Sequence, residues 1–371
     1  MSSSDTLTDE QVKMYRKAVF RSDLWPKMKV NAIYYATSTL EDLIPPTELD
    51  YSYLNHINYG FSRLQPDGSI LLGNEFIDCE IPVMSCTGYI GALLSMKKTY
   101  PYLRVCLTVG GAESDENFRI VAGDCEKRKL FAQAAVEIVR SSGLDGIDIA
   151  WRYPSSPTEG RDLVALLREI YEQFKADDYI ITVLLPGSRA VLDMIDLSEM
   201  SKVVDLLNLA CYNFFERSYD DGPLVSCHAS QLNSANKESQ TSVTSIVRHV
   251  LSRGVPPQKI LLGVPAYGQK FQDCTVIGSP CTGWELVKYR NIPKNGTELY
   301  YPGPVAATCL SDHGNIISYD NLATVKKKAE FCLNTKLAGM FYWTGLYDSR
   351  TSSNSLMKAG FDVLHMDPTR I

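Results

Sequence analysis

The sequence lacks the features that would place it among membrane, metal-binding or nucleic-acid-binding proteins. No run of 18 apolar residues occurs in its 371 residues, so no transmembrane helix is predicted. It has no CxxC pair and no Cys/His spacing typical of a metal site, so we expect no bound metal. The formal net charge is -6, and the densest basic run, Lys326 to Lys328, fits a solvated helix face. Nucleic acid is therefore not expected as a partner.

The amino terminus has no apolar stretch long enough for a signal peptide. As written, the chain is therefore expected to stay inside the cell; the alternative is that it is the processed form of a secreted protein. Residues 1–28 are predicted to form a helical extension that begins at a capping box, Thr8 to Gln11.

Ten cysteines are present, but most give little support for a disulfide framework. Cys106 lies in an apolar strand-like run and Cys332 in a helix-like one, where buried free thiols are expected. Cys274 and Cys281 are the best candidates for a local bridge because they bracket a loop that contains glycine and proline. Two free thiols are the alternative.

The composition, 45% hydrophobic and 22% charged, is that of a globular protein. Short apolar runs rich in β-branched residues alternate with segments of helical spacing, which indicates repeated βα units. The eight candidate strands are Val30 to Tyr35, His56 to Phe61, Arg104 to Val109, Gly146 to Ala150, Ile180 to Leu185, Leu206 to Ala210, Lys259 to Val264 and Gly339 to Trp343. The clearest helical stretches are Arg128 to Ser141, Gly160 to Lys175, Val243 to Ser252 and Leu322 to Asn334.

Eight such units predict a closed (β/α)8 TIM barrel, an α/β fold that occupies residues 29–371. The sequence lacks a glycine-rich phosphate loop after the first strand, which an open doubly wound sheet would usually carry, and no cofactor is predicted. Residues 271–318 interrupt the seventh βα unit and are rich in glycine, proline and tyrosine. We expect a reduced, β-rich insertion that forms a wall over the barrel mouth; a long loop is the alternative.

Chemistry in such a barrel lies at the carboxyl ends of the strands. The residues at or just past the predicted strand ends are Tyr34, Phe61, Gly110, Gly111, Ala150 to Arg152, Tyr212, Asn213, Tyr267 and Trp343.

Several motifs at these strand ends occur in a fixed order. They are Tyr59-Gly60-Phe61 with Gln65-Pro66-Asp67-Gly68, Leu107-Thr108-Val109-Gly110-Gly111, Asp145-Gly146-Ile147-Asp148 with Trp151 and Tyr153-Pro154, Asn208-Leu209-Ala210-Cys211-Tyr212-Asn213, Gly263-Val264-Pro265-Ala266-Tyr267-Gly268, Ile317-Ser318-Tyr319-Asp320, and Trp343. With this set, residues from about Val30 to Phe361 resemble glycoside hydrolase family 18, the chitinase family, and most closely its fungal class V branch.

The resemblance implies a mechanism in which the 2-acetamido group of the substrate attacks the anomeric carbon. In the family pattern DGxDxDxE, the final Glu protonates the leaving oxygen and the third Asp orients the acetamido group. The corresponding residues here are Arg152 and Ala150. Arginine stays charged and cannot act as the acid, so a contribution of about 10² to 10⁴ in rate is lost. Its charge also opposes a transition state that is becoming positive.

Other departures from the family pattern also remove groups that hydrolysis needs. Asn213 replaces the Asp that usually follows the tyrosine, here Tyr212, which would hydrogen-bond the acetamido oxygen. Asp145 and Asp148 remain. They are either vestiges of the proton relay or, as we favour, partners of an ion pair with Arg152.

The resemblance also bears on sugar binding, which depends on stacking against exposed aromatic faces. Aromatic residues common in the family are replaced by Ala112 and by the stretch Ala36 to Ser38, and a basic residue by Gln269. Trp343 is either the floor of a sugar subsite or a core residue. We therefore expect a short pocket, not a long groove. The ligand-binding candidates are Tyr34, Phe61, Arg152, Tyr212, Tyr267, Trp284 and Trp343.

The predicted function is that of a non-catalytic chitinase-like protein that binds N-acetylglucosamine oligomers or another glycan weakly, or that serves as a recognition or scaffold protein for a protein partner. A first alternative is an active glycosidase with a relocated acid, either Glu113 or Glu216. A second is a pocket for an anion such as a phosphorylated sugar, formed by Arg152 with Arg189 and Arg217.

Overall fold

A computed structural model describes residues 28–37, 44–214, 224–234, 241–294, 296–311 and 314–365. The predicted helical extension and its capping box fall on residues 1–27, outside the described ranges. None of the helices in these ranges is both long and apolar enough to cross a membrane. The same ranges contain no group of three or more His, Cys, Asp or Glu side chains that could hold a metal ion.

The described residues form sixteen strands. In chain order they are β1 Val30–Ala36, β2 His56–Leu64, β3 Ile70–Leu71, β4 Pro82–Val83, β5 Cys86–Thr87, β6 Arg104–Gly110, β7 Gly146–Ala150, β8 Ile180–Pro186, β9 Leu206–Ala210, β10 Ile260–Pro265, β11 Tyr267–Gln272, β12 Gly283–Lys288, β13 Leu299–Tyr301, β14 Ala306–Ser311, β15 Asn315–Tyr319 and β16 Gly339–Trp343.

Eight of these strands form a closed parallel barrel in the order β1, β2, β6, β7, β8, β9, β10 and β16. The barrel closes where β16 pairs with β1, with Val30 opposite Gly339. All eight predicted strands are confirmed, with ends that differ by at most three residues, and the predicted (β/α)8 fold is confirmed with them. The reason is that each strand is buried on both faces and therefore appears in the sequence as an almost continuous apolar run.

Side chains along each barrel strand alternate between the outer helices and the barrel interior. On β1, Ile33 and Tyr35 belong to the large core beneath the helices, whereas Ala32 and Tyr34 point inward. The inward-facing buried set is Val30, Ala32, Tyr34, Ala150, Leu184, Leu206, Ala210, Leu261 and Phe341. The barrel interior also holds buried polar side chains, among them Asp148, Thr182 and Asn208, so it is packed but not wholly apolar.

Helices connect the barrel strands and cover their outer faces. They are Gly88–Thr99, Asp115–Ala122, Cys125–Ser142, Pro157–Phe174, Arg189–Leu192, Leu197–Val203, Val243–Ser252, Leu322–Asn334 and Leu356–Leu364. Local signals set their ends. Ser156 accepts a hydrogen bond from the Glu159 N–H, and Pro157 occupies the first helical position, so that helix begins three residues before the predicted Gly160.

A five-stranded antiparallel sheet lies between β10 and β16, in the order β12, β11, β15, β14, β13. It extends from Tyr267 to Tyr319, and so begins four residues before the predicted insertion, because β11 follows β10 after the single residue Ala266. In its register Gln269 lies opposite Leu286, and Phe271 opposite Trp284. Opposed residues share a sheet face, and so do residues two apart on one strand. Trp284 therefore lies on the same face as Phe271 and Gln269.

All ten cysteines are free thiols. Cys274 and Cys281 are both buried, in an apolar cluster that also contains Phe271 and Ile316. Burial raises the pKa of the Cys281 thiol to about 11, and the neighbouring Cys274 adds to that rise. The two residues thus lie side by side as predicted for a local bridge, but as protonated thiols.

Candidate binding site at the barrel mouth

Three of the predicted aromatic residues meet at the carboxyl ends of neighbouring barrel strands. Tyr34 on β1 and Trp343 on β16 have ring centroids 4.9 Å apart, and Phe61 on β2 lies 5.8 Å from Trp343. Tyr34 is almost fully buried, whereas Phe61 and Trp343 are half-buried. Trp343 therefore packs on the inner core from above and keeps part of its ring at the surface of the mouth.

Tyr212 and Tyr267 extend this cluster on the opposite side. Their ring centroids are 6.2 Å apart, and Tyr212 lies 6.4 Å from Phe341. Phe341 in turn contacts Tyr34, at 5.4 Å. Five of the predicted aromatic residues thus belong to one continuous cluster that is centred on Phe341.

A polar rim stands beside the aromatic cluster. Asn213 is exposed and has a φ of 58°, a left-handed conformation that asparagine tolerates better than most residues. Its Oδ1 accepts hydrogen bonds from the Tyr267 hydroxyl at 2.7 Å and from Gln269 Nε2 at 3.1 Å. Gln269 is only 2% exposed, and its Oε1 has no hydrogen-bond partner among the described residues. The rim therefore contains a buried amide oxygen that has no hydrogen-bond partner among the described residues.

Arg152 lies just past the end of β7 and is half-buried. Its backbone N–H donates to Asp115 Oδ1 at 2.9 Å. Its Nε is buried without a hydrogen-bond partner, and no carboxylate of the described ranges lies within 4.0 Å of its guanidinium. The charge of Arg152 acts on its tyrosine neighbours: burial raises the pKa of Tyr153 to about 12, and the arginine opposes that rise.

Neither retained acid pairs with Arg152, so the predicted ion pairs are not formed. Asp145 precedes β7 at the amino end of the barrel, where its carboxylate contacts Lys97 Nζ at 2.7 Å and accepts from the Val105 N–H. The two ends of a barrel strand lie at opposite ends of the barrel. Asp145 therefore cannot reach a residue that follows the carboxyl end of the same strand.

Asp148 lies in the middle of β7 and is fully buried. Its Oδ1 accepts hydrogen bonds from Thr182 Oγ1 at 2.5 Å and from Asn208 Nδ2 at 3.0 Å, and Asn208 also donates to the Tyr34 hydroxyl. Burial raises the pKa of Asp148 to about 6, against the effect of these hydrogen bonds. Its partners are neutral groups, and Ala150, two residues further along the same face, adds only a methyl group to the apolar core.

Asp115 is a mouth residue that sequence reasoning missed. It is half-buried, and burial raises the pKa of its carboxyl group, while the hydrogen bond from the Arg152 N–H and the charge of Arg152 oppose the rise. It begins the helix Asp115–Ala122, five residues after β6 ends at Gly110. A search that continued through the loop after each strand would have included it.

The other predicted site residues lie further from this cluster or outside the described ranges. Trp284 is 42% exposed on the edge strand β12. Glu113 is exposed on the short turn after β6. Arg189 donates to the Ser245 carbonyl at 3.4 Å, so the helix Val243–Ser252 engages it. Glu216 and Arg217 fall on residues that the structure does not describe.

One of the recognised motifs has a structural role. Asp320, the last residue of Ile317 to Asp320, is buried and pairs with the fully buried Lys328 at 2.6 Å. Ser230 and Thr324 donate hydrogen bonds to the same carboxylate. The motif therefore joins the inserted sheet to the helix Leu322–Asn334.

Comparison with known proteins identifies the family and agrees with the fold. The family model "Glycosyl hydrolases family 18" matches residues 30–348. Chitinase 1 of Aphanocladium album is 28% identical, over 90% of this chain and 85% of its own length. Among solved structures, chitinase ChiA74 from Bacillus thuringiensis superimposes with a TM-score of 0.83 at 21% identity, over 91% of this chain and 70% of its own. YKL-39, solved in the presence of chitooligosaccharides, has a TM-score of 0.81 at 20% identity, over 91% of this chain and 100% of its own. At these identities the two structures support the fold alone.

Proposed function

The chain belongs to glycosyl hydrolase family 18, and from this premise we propose that it binds a glycan at the barrel mouth without hydrolysing it. The observation that carries the proposal is the identity of two residues at the end of β7, Ala150 and Arg152. Hydrolysis by the family mechanism needs a carboxylic acid where Arg152 stands and a carboxylate where Ala150 stands. An arginine and a methyl group can supply neither.

Asp148 is the nearest carboxyl group on the same strand, but its position argues against a replacement role. It has no exposed surface, and its Oδ1 is held by Thr182 and Asn208. A general acid must come within hydrogen-bond reach of the oxygen that it protonates. Asp148 lies two residues below Ala150 on the inner face of β7, and Tyr34 hydrogen-bonds to it, so we expect that a sugar bound above Trp343 would not contact it.

Glycan binding is supported by the aromatic surface. Sugar rings present apolar faces that stack on aromatic side chains, while their hydroxyl groups need hydrogen-bond partners. The mouth offers the half-buried rings of Trp343, Phe61 and Tyr212, and beside them the exposed amide of Asn213. These groups occupy one small area, which suits a short oligosaccharide.

Two measurements on the purified protein test the proposal. Calorimetric titration with N-acetylglucosamine oligomers should detect binding, and Trp343→Ala should weaken it at least about tenfold because the stacking surface is removed. Tyr171→Ala is the control, an exposed aromatic residue on the helix Pro157–Phe174, and it should leave the affinity unchanged. Turnover of a fluorogenic chitobioside should stay at the background rate. Absence of heat and of a thermal shift at millimolar ligand would rule out the binding of N-acetylglucosamine oligomers.

An active glycosidase with a relocated acid is a second candidate, and Asp115 is the observation that favours it. Its carboxyl group is half-buried next to Arg152, and its pKa is raised by burial, as a general acid requires. Turnover that survives purification and disappears in Asp115→Asn would establish this alternative. Glu113→Gln, an exposed carboxylate two residues away, is the matched control and should leave such turnover unchanged.

A further inference from the structure

Glycan stacking does not account for the guanidinium of Arg152. Its Nε is buried without a partner, and within the described ranges no acid forms an ion pair with it. The two acids that remain from the family pattern are engaged elsewhere, Asp145 with Lys97 and Asp148 with Thr182 and Asn208. An arginine that is half-buried and forms no ion pair with a described residue is suited to an oxyanion, which accepts charge-assisted hydrogen bonds from its guanidinium.

The groups around Arg152 are mostly neutral hydrogen-bonding groups. Tyr153 follows Arg152 in the chain. Burial raises the pKa of Tyr212, and the charge of Arg152 opposes that rise, as it does for Tyr153. Among the described residues, Asp115 is the carboxyl group that interacts with Arg152, and its Oδ1 already accepts the Arg152 backbone N–H.

We propose that the mouth selects a glycan whose sugar units carry an oxyanion, a carboxylate or a sulfate, and that Arg152 binds this group while the aromatic cluster binds the sugar faces. The inference rests on the proposed glycan binding and adds the class of ligand to it. A neutral chitooligosaccharide would leave the guanidinium without a partner. A deacetylated, cationic oligomer would be repelled by it.

The test compares two tetrasaccharides of equal length in calorimetric titrations at low salt. One is chitotetraose, which is neutral; the other is a hyaluronan tetrasaccharide, in which N-acetylglucosamine alternates with glucuronic acid. We expect the uronate-containing probe to bind at least about tenfold more tightly, and its affinity to fall as salt is raised. A sulfated N-acetylglucosamine oligomer distinguishes the two anions, and a preference for either one over chitotetraose supports the proposal.

Three variants separate the charge of Arg152 from its bulk and from the competing acid. Arg152→Gln keeps hydrogen-bonding capacity without charge, and it should abolish the preference for the anionic probe. Arg152→Lys keeps the charge without the planar fork and should retain part of the preference. Asp115→Asn can still accept the Arg152 N–H but has no charge, so it should increase affinity for the anionic probe only. Circular dichroism and thermal melting confirm that each variant is folded.

The outcomes distinguish this inference from the proposed function. Equal binding of neutral and anionic probes, or a preference that Arg152→Gln leaves intact, overturns the role of Arg152 while glycan binding stands. Failure of the neutral and both anionic probes to bind overturns glycan binding itself, and this inference with it.

Discussion

Restoring the two acids of the family pattern, by Ala150→Asp with Arg152→Glu, probes the loss of hydrolysis directly. Ala150 is fully buried in the apolar layer with Tyr34, Leu184 and Phe341. An Asp at this position would lie on the same strand face as Asp148, two residues away. Two carboxylates about 7 Å apart on a strand repel by about 2 kcal/mol at an effective dielectric constant of about 20. Burying the new carboxylate without partners adds about 1 to 3 kcal/mol.

The double variant is therefore expected to lose about 3 to 5 kcal/mol in free energy of unfolding, measured by urea denaturation at pH 7. Arg152→Glu alone is the control. Arg152 is half-buried and forms no ion pair with a described residue, so its replacement should cost less than about 1 kcal/mol. Ala150→Asp alone should account for almost all of the loss.

Turnover of a fluorogenic chitobioside by the double variant should remain at least about 10²-fold below that of an active family member assayed beside it, because the acid is only one part of the machinery. Asn213 still stands where the family places an Asp, and Ala112 still replaces an aromatic residue. A double variant that kept wild-type stability and cleaved substrate as fast as the active relative would refute this reasoning, since the rest of the site would then be intact.

Three further predictions concern stability measured by urea denaturation. The pKa of Asp148 is about 6 when folded and 3.8 in the reference state, so its stabilising effect is complete below pH about 4 and is lost as pH rises through about 6; Asp148→Asn should remove most of this pH dependence, and an unchanged profile would contradict the assignment. Lys328→Met should cost about 3 to 5 kcal/mol because it leaves Asp320 buried without its cation, whereas Lys327→Met, at an exposed neighbour, should cost less than about 0.5 kcal/mol. Asn213→Ala should cost about 1 to 3 kcal/mol through the left-handed backbone and two lost hydrogen bonds, and Asn213→Gly, which relieves only the backbone, should recover part of that loss.

The strands of the barrel could be predicted because their signal is local. A strand buried on both faces requires a short apolar run, and the chain contains eight such runs separated by segments of helical spacing. The same logic placed Tyr34, Phe61, Tyr212, Tyr267 and Trp343 at one end of the barrel, and their rings do meet there. Parallel strands bring all their carboxyl ends together, so position along a strand is enough to predict the neighbourhood.

The partners of the charged residues could not be predicted in this way. Asp145 and Arg152 are close in sequence, but they lie at opposite ends of β7, and Asp145 takes its cation from Lys97 on the helix Gly88–Thr99. Asp115 was missed because it follows a strand by five residues, and only the path of the intervening turn returns it to Arg152. Which side chains meet depends on how loops and helices cross the barrel, and no local pattern records that.

The sequence by itself determined the barrel, the family, and the chemical identity of Ala150 and Arg152 at the end of β7, because backbone pattern and residue type are properties of the chain. The tertiary structure decided what those residues do. It holds Asp148 among neutral hydrogen-bond donors, and it places Asp115 beside Arg152. It also leaves the guanidinium without an ion pair among the described residues, since charge pairing depends on distances between segments that are far apart in the chain.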